Sequence, residues 1–126
     1  MKLFNHVQIK VKDLKNSQKF YDSIMSILGY HKVLDIKDTV VGYGTNVQDI
    51  SEIRIATSEA LLSKSVHVAF NSPSLQCVDN FYKTALKNGA SCNGIPGYRP
   101  EYEEEYYSAF VIDPDGHNIE VVYMDI

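Results

Sequence analysis

The sequence predicts an α+β fold of two tandem βαβββ modules, about residues 1–62 and 63–126, forming a curved mixed sheet with the helices on its outer face. Three observations carry that prediction. The chain repeats itself at an offset of 61 residues without a gap: His6-Val7-Gln8-Ile9 falls on His67-Val68-Ala69-Phe70, Leu14 on Leu75, and Phe20-Tyr21 on Phe81-Tyr82. Within each copy the apolar spacing passes from alternation to the helical period and back. The second copy ends with Asp113-Pro114-Asp115-Gly116 between two alternating segments, where proline presets one dihedral and glycine supplies the positive one. Each repeat needs its neighbour to bury its apolar face, so one pseudo-symmetric domain over residues 1–126 is expected.

The elements follow in order. Val7, Ile9 and Val11 alternate with His6, Gln8 and Lys10, the period of a strand with one packed face, and His6 lies on the other face. Asp13 can cap a helix carrying Phe20, Tyr21, Ile24, Ile27 and Leu28 on one side, and Gly29 stands where a left-handed stop is wanted. Shorter strands are expected around Tyr30 to Leu34, Thr39 to Tyr43 and Glu52 to Thr57. In the second half Val66 to Phe70 reads as a strand, and Ser74 to about Asn88 as a helix carrying Leu75, Val78, Phe81, Tyr82 and Ala85, stopped by Gly89. A strand near Ala90, an irregular stretch NGIPGYRPEYEEE, and a hairpin from Tyr106 to Tyr123 complete the plan.

Bulk properties narrow the function classes. A charge of -4 argues against a phosphate-backbone partner, so nucleic acid is not expected. The N-terminus alternates instead of offering a continuous apolar run, and no stretch approaches a membrane span. A cytoplasmic protein without membrane partners is expected. Cys77 and Cys92 occupy unmatched places in the repeat and read as ordinary thiols of a reducing compartment. His31 and His117 fall outside the parity of any site and read as surface histidines.

Parity brings three donors together. In the last strand Ile119, Val121 and Tyr123 have the apolar parity, so Glu120 points the other way, onto the same kind of face as His6 and His67. A carboxylate between Ile119 and Val121 needs a partner, because an unpaired buried charge is costly. Two imidazoles and one carboxylate are such a partner set once a divalent ion, Zn, Ni, Fe(II) or Mn, is added.

The segments HVQIKVKDLKNSQKFYDSIMSILGY, HVAF and YYSAFVIDPDGHNIEVVY resemble the vicinal oxygen chelate superfamily, which includes glyoxalase I, the fosfomycin and bleomycin resistance proteins and the extradiol dioxygenases. The resemblance implies a glyoxalase-like fold with His6, His67 and Glu120 as metal ligands, and a fourth ligand from the last strand of module one in glyoxalase I. This chain departs there: matching Ile53-Arg54-Ile55 to Ile119-Glu120-Val121 puts Arg54 opposite Glu120, and a guanidinium has no lone pair for a metal. Glu52 shares the parity of Arg54 and reaches the site only through a bulge or a two-residue shift. Arg54 either pairs with Glu120 in a metal-free site or clamps an anionic substrate group bidentately.

Two functions are expected, from different classes. One is a metal-dependent enzyme acting on a small oxygen-rich molecule, a lyase or isomerase of the lactoylglutathione-lyase type or a related transferase or dioxygenase. In it Glu120 or Glu52 exchanges the proton and Arg54, Arg99 and Tyr107 bind substrate. The other is a metal-free binding protein that sequesters a ligand, as the bleomycin resistance proteins do. Gly97 to Tyr107, with four glutamates, four tyrosines and Arg99, fits a substrate lid, a subunit interface or a solvated acidic loop. A homodimer is expected under either reading, since sheet edges need cover.

Overall fold

The computed structural model of the chain describes residues 4–45, 51–58 and 62–125. The chain divides into two compact units, residues 1–64 and 65–126. Each is a four-stranded mixed sheet with one helix, so the fold is α+β with two repeated βαβββ modules.

Module one runs β1 (Val7–Val11), α1 (Leu14–Leu28), β2 (His31–Ile36), β3 (Val40–Gly44) and β4 (Ile53–Thr57). The sheet order is β1-β4-β3-β2, with β1 parallel to β4 and the other pairs antiparallel. The helix begins where Asp13 accepts a hydrogen bond from the Asn16 N–H at 3.1 Å and stops at Gly29, whose φ of 84° is open to glycine. Phe20, Tyr21, Ile24, Met25 and Leu28 form its buried stripe. They are matched in the core by Ile9, Val11, Val41, Tyr43, Ile53 and Ile55. The Tyr43 hydroxyl, on that same sheet face, donates to Asp22 Oδ1 of α1 at 2.8 Å. Burial, with the carboxylate beside it, raises the Tyr43 pKa.

Module two repeats the plan as β5 (His67–Asn71), α2 (Leu75–Lys87), β6 (Ser91–Tyr98), β7 (Tyr106–Ile112) and β8 (Asn118–Met124), in the order β5-β8-β7-β6 with β5 parallel to β8. Ser74 caps α2, its Oγ accepting from the Cys77 N–H at 3.1 Å. Val78, Phe81 and Ala85 of α2 are buried, and Ala109, Val111, Ile119 and Val121 are fully buried on the sheet.

Two expectations are corrected here. The stretch after Ala90 is not irregular throughout: β6 continues to Tyr98, with register shifts between Cys92 and Gly94 and between Gly94 and Gly97. It lies at the sheet edge, where Pro96 lacks no needed ladder donor and bulges are tolerated. His117 is not a surface residue but fully buried. Asp113 Oδ1 accepts from the N–H groups of Asp115 and His117, both at 2.9 Å, and folds the turn inward. His117 Nδ1 then accepts from the Val66 N–H at 3.2 Å.

Candidate functional site

The sheet face of module two turned away from α2 gathers the side chains of the candidate site. Register fixes its membership: Glu120 lies across from Ala69 of β5 and Phe110 of β7, so Glu120, Phe110, Ser108 and Tyr106 share one face. His67 opens β5 with the same parity. Tyr107, Ala109 and Val111 alternate onto the α2 side.

Glu120 is the centre of this face. Its residue is only 3% exposed, and both carboxylate oxygens are engaged. Oε1 is 3.0 Å from His67 Nε2; Oε2 accepts the Tyr106 hydroxyl at 2.5 Å. The His67 side chain is 51% exposed, so the pair joins a buried carboxylate to an imidazole open to solvent. Burial, then the bond to Glu120, raises the Tyr106 pKa, and this hydroxyl stays a donor at neutral pH. The Phe110 ring lies 6.1 Å from the His67 ring and carries the Arg99 guanidinium 5.6 Å from its centroid. Tyr102 meets Tyr106 edge-on at 5.1 Å.

The structure thus brings His67, Glu120 and, through Phe110, Arg99 onto one face. Tyr107 is set apart from them. Its hydroxyl donates to Asp79 Oδ1 of α2 at 2.6 Å, and burial with this bond pushes its pKa up to about 12. The face belongs to Tyr106, the residue the sequence reading missed. Counting by twos from Glu120's cross-strand neighbour Phe110 is the signal that finds it.

In module one, His6 is exposed beside β1, with Nδ1 2.8 Å from Asn5 Oδ1. Arg54 is half-buried, and its Nε donates to Ser51 Oγ at 2.9 Å. Glu52 is half-buried and accepts from the Thr45 hydroxyl at 3.0 Å. Burial, and then the charge of Glu52, raise the Tyr30 pKa. His31 is exposed, as expected for a surface histidine.

Among the described residues no group of three or more His, Cys, Asp and Glu side chains is gathered closely enough to hold a metal ion. Module two supplies two donors, His67 and Glu120. An imidazole nitrogen and a carboxylate oxygen are what borderline divalent ions accept, so the pair fits part of such a site and requires a further donor.

The Glyoxalase/Bleomycin resistance protein/Dioxygenase superfamily profile matches residues 3–121, and the chain belongs to that superfamily. Among solved structures it is similar to a glyoxalase/bleomycin resistance protein from Albidiferax ferrireducens, at 27% identity and a TM-score of 0.79, over 97% of this chain and 98% of that one. It is also similar to the fosfomycin resistance protein FosX from Mesorhizobium loti, at 19% identity and a TM-score of 0.69, over 100% of this chain and 95% of that one. A mutant glyoxalase I from Zea mays shares the fold at 21% identity and a TM-score of 0.69, over 94% of this chain and 45% of that one. No curated protein sequence matches. No helix among the described residues is long and apolar enough to cross a membrane.

Proposed function

We propose that this protein is a metal-dependent enzyme of the glyoxalase type, a lyase or isomerase acting on a small oxygen-rich molecule. In this reading the two units work as one cytoplasmic domain, and His6, His67 and Glu120 hold a divalent ion, Zn, Ni, Fe or Mn. The observation that supports it best is the 3.0 Å approach of His67 Nε2 to Glu120 Oε1, a nitrogen and an oxygen donor on one sheet face. A bound divalent ion supplies Lewis acidity to neighbouring oxygens of the ligand.

The chain's own residues do the rest. Glu120 or Glu52 takes and returns a proton. Tyr106 holds Glu120 Oε2 and leaves Oε1 to face His67. Arg54 and Arg99 bind anionic groups, the geometry for which guanidinium is suited. Tyr107 is committed to Asp79, and Tyr106 takes its place beside the ligand. A homodimer accompanies this reading, because strands at the sheet edges call for cover.

One observation favours a second reading, a metal-free binding protein of the bleomycin-resistance type. Arg54 stands at the module-one counterpart of Glu120 and is held by Ser51, which puts a cation where a fourth ligand would serve a metal. Elemental analysis of the protein purified without added ions separates the two. Bound metal that disappears in His67→Ala supports the enzyme; a metal-free protein, or metal undiminished in that variant, overturns it.

A further inference from the structure

Two local costs fall together at the entry to β5. Ser65 is a non-glycine residue with φ of 50°, in the left-handed region that side chains disfavour. His117 is fully buried, yet among the described residues its Nε2 has no hydrogen-bond partner. Its Nδ1 accepts from the Val66 N–H at 3.2 Å, so the proton of the neutral ring sits on Nε2, where no acceptor meets it. An apolar side chain would fill the same space without an orphan donor. Costs of this kind persist only where the surrounding structure holds them, and they point to a role.

That role lies in strand register. β5 and β8 run parallel, and a parallel pair has no hairpin turn to fix which residues face each other. A slip of one residue would carry His67 to the other face of the sheet. Val66, just before His67, is gripped at both backbone groups by the residues that open β8: its N–H by the His117 ring and its carbonyl by the Asn118 N–H at 2.9 Å. The grip begins immediately after Ser65 and holds the chain in its left-handed turn. His117 is itself fixed by the preceding turn, its N–H donating to Asp113 Oδ1 at 2.9 Å and its carbonyl accepting from the Asp113 N–H at 2.8 Å. Further along the same strand stands Glu120, 3.0 Å from His67. One anchored ring thus ties the carboxylate strand to the imidazole strand.

Module one is built differently at the matching place. Arg54 is the counterpart of Glu120, so Ser51 is the counterpart of His117, and its Oγ is engaged by Arg54 Nε at 2.9 Å. The buried imidazole belongs to the module that carries the His67–Glu120 pair.

We propose that His117 is a positioning residue: through Val66 it sets the register of β5 against β8 that brings His67 Nε2 to Glu120 Oε1, and so keeps two of the proposed metal donors preorganised. The proposal rests on the metal reading for the ion alone, because the placement of His67 is measured on the metal-free protein.

The test is NMR of the metal-free wild type, His117→Asn and His117→Leu. Long-range proton–nitrogen correlation in the wild type should show the Nε2–H tautomer at His117, and the Val66 amide should exchange slowly. Asparagine offers an amide oxygen near the place of Nδ1. It should preserve the Val66 protection and the through-space contact between the His67 and Phe110 rings, whose centroids lie 6.1 Å apart. Leucine keeps the bulk without the acceptor; it should speed Val66 exchange by about tenfold or more and weaken the His67 to Phe110 contact. Titration with Zn, Ni and Mn should then show affinity lowered by about tenfold or more in the leucine variant and recovered in the asparagine variant. An Nδ1–H tautomer in the wild type, a result that needs no variant to fold, overturns the proposal. So does a folded leucine variant whose His67 keeps its wild-type environment. Metal bound equally by wild type and His117→Leu sinks this inference alone. Displacement of His67 by leucine in a protein whose wild type takes up no metal sinks the metal reading alone.

Discussion

Arg54 occupies in module one the place that Glu120 occupies in module two. Each lies in the strand parallel to the first strand of its module, across from Gln8 and Ala69 respectively, and those two partners are related by the 61-residue repeat. The duplicated scaffold thus offers a cation at one of its equivalent positions and an anion at the other. Symmetry of the backbone has not been matched by symmetry of charge.

The Arg54 arrangement depends on a missing side chain. Gly42 is the cross-strand partner of Arg54, and a Cβ at Gly42 would come within 2.5 Å of Ser51 Cβ and 2.6 Å of its Oγ, the atom that accepts from Arg54 Nε. Gly42→Ala should therefore displace Ser51, free Arg54, and cost about 1–3 kcal/mol, the usual penalty for overpacking. Urea denaturation reads the loss; an unchanged midpoint would show that Ser51 moves aside without strain.

Truncating Glu120 strands its neighbours. Glu120→Ala leaves the half-buried Tyr106 hydroxyl without its acceptor and is expected to destabilise the protein by about 1–3 kcal/mol. Glu120→Gln keeps an acceptor and the volume, and should lose less. If the alanine variant melts with the wild type, the carboxylate contributes nothing to stability and its burial needs another cause.

High pH should weaken the fold. Tyr107 is pushed from the usual 10.0 up to about 12, and Tyr43 and Tyr106 are raised as well. Between the unfolded and folded values the native state binds more protons than the unfolded chain, so stability falls as pH rises. The contribution is full below pH 10 and is lost progressively towards and beyond pH 12. Chemical denaturation from pH 8 to 11 should show the decline, and Tyr107→Phe should flatten part of it. A flat profile in the wild type would contradict the burial of these hydroxyls together with their bonds to carboxylates.

His117 is expected to behave as a core residue. It is fully buried, and His117→Ala would leave the Val66 N–H unpaired at the residue before His67, costing about 1–3 kcal/mol for that group alone. Thermal unfolding of the variant measures this. A neutral substitution would mean that Val66 finds another acceptor.

Much of this was legible in the sequence, and the misses share a cause. The sequence located both helices and the Asp13 cap, and it started the second helix at Ser74, which the structure shows to be its cap, because capping and periodicity are local. Strand parity put Glu120 on the face of His67, because alternation is a short-range rule. It failed at Tyr106, since Tyr106 and Tyr107 are alike in type and only the pairing with β8 decides which faces Glu120. His117 was hidden for a similar reason: its burial follows from the Asp113 turn and the distant Val66 N–H. Pro96 and two glycines masked the second half of β6, which tolerates them as an edge strand.

His6, His67 and Glu120 are proposed as the ligands of one divalent ion. Titration of the metal-depleted protein with Zn, Ni and Mn, followed calorimetrically in wild type, His6→Ala and His67→Ala, tests it most directly. The account predicts saturable binding of one of these ions in the wild type and a loss of affinity of tenfold or more in both variants, on the order seen when a ligand-shell residue is removed. Wild-type affinity in His6→Ala, with or without loss in His67→Ala, would contradict it.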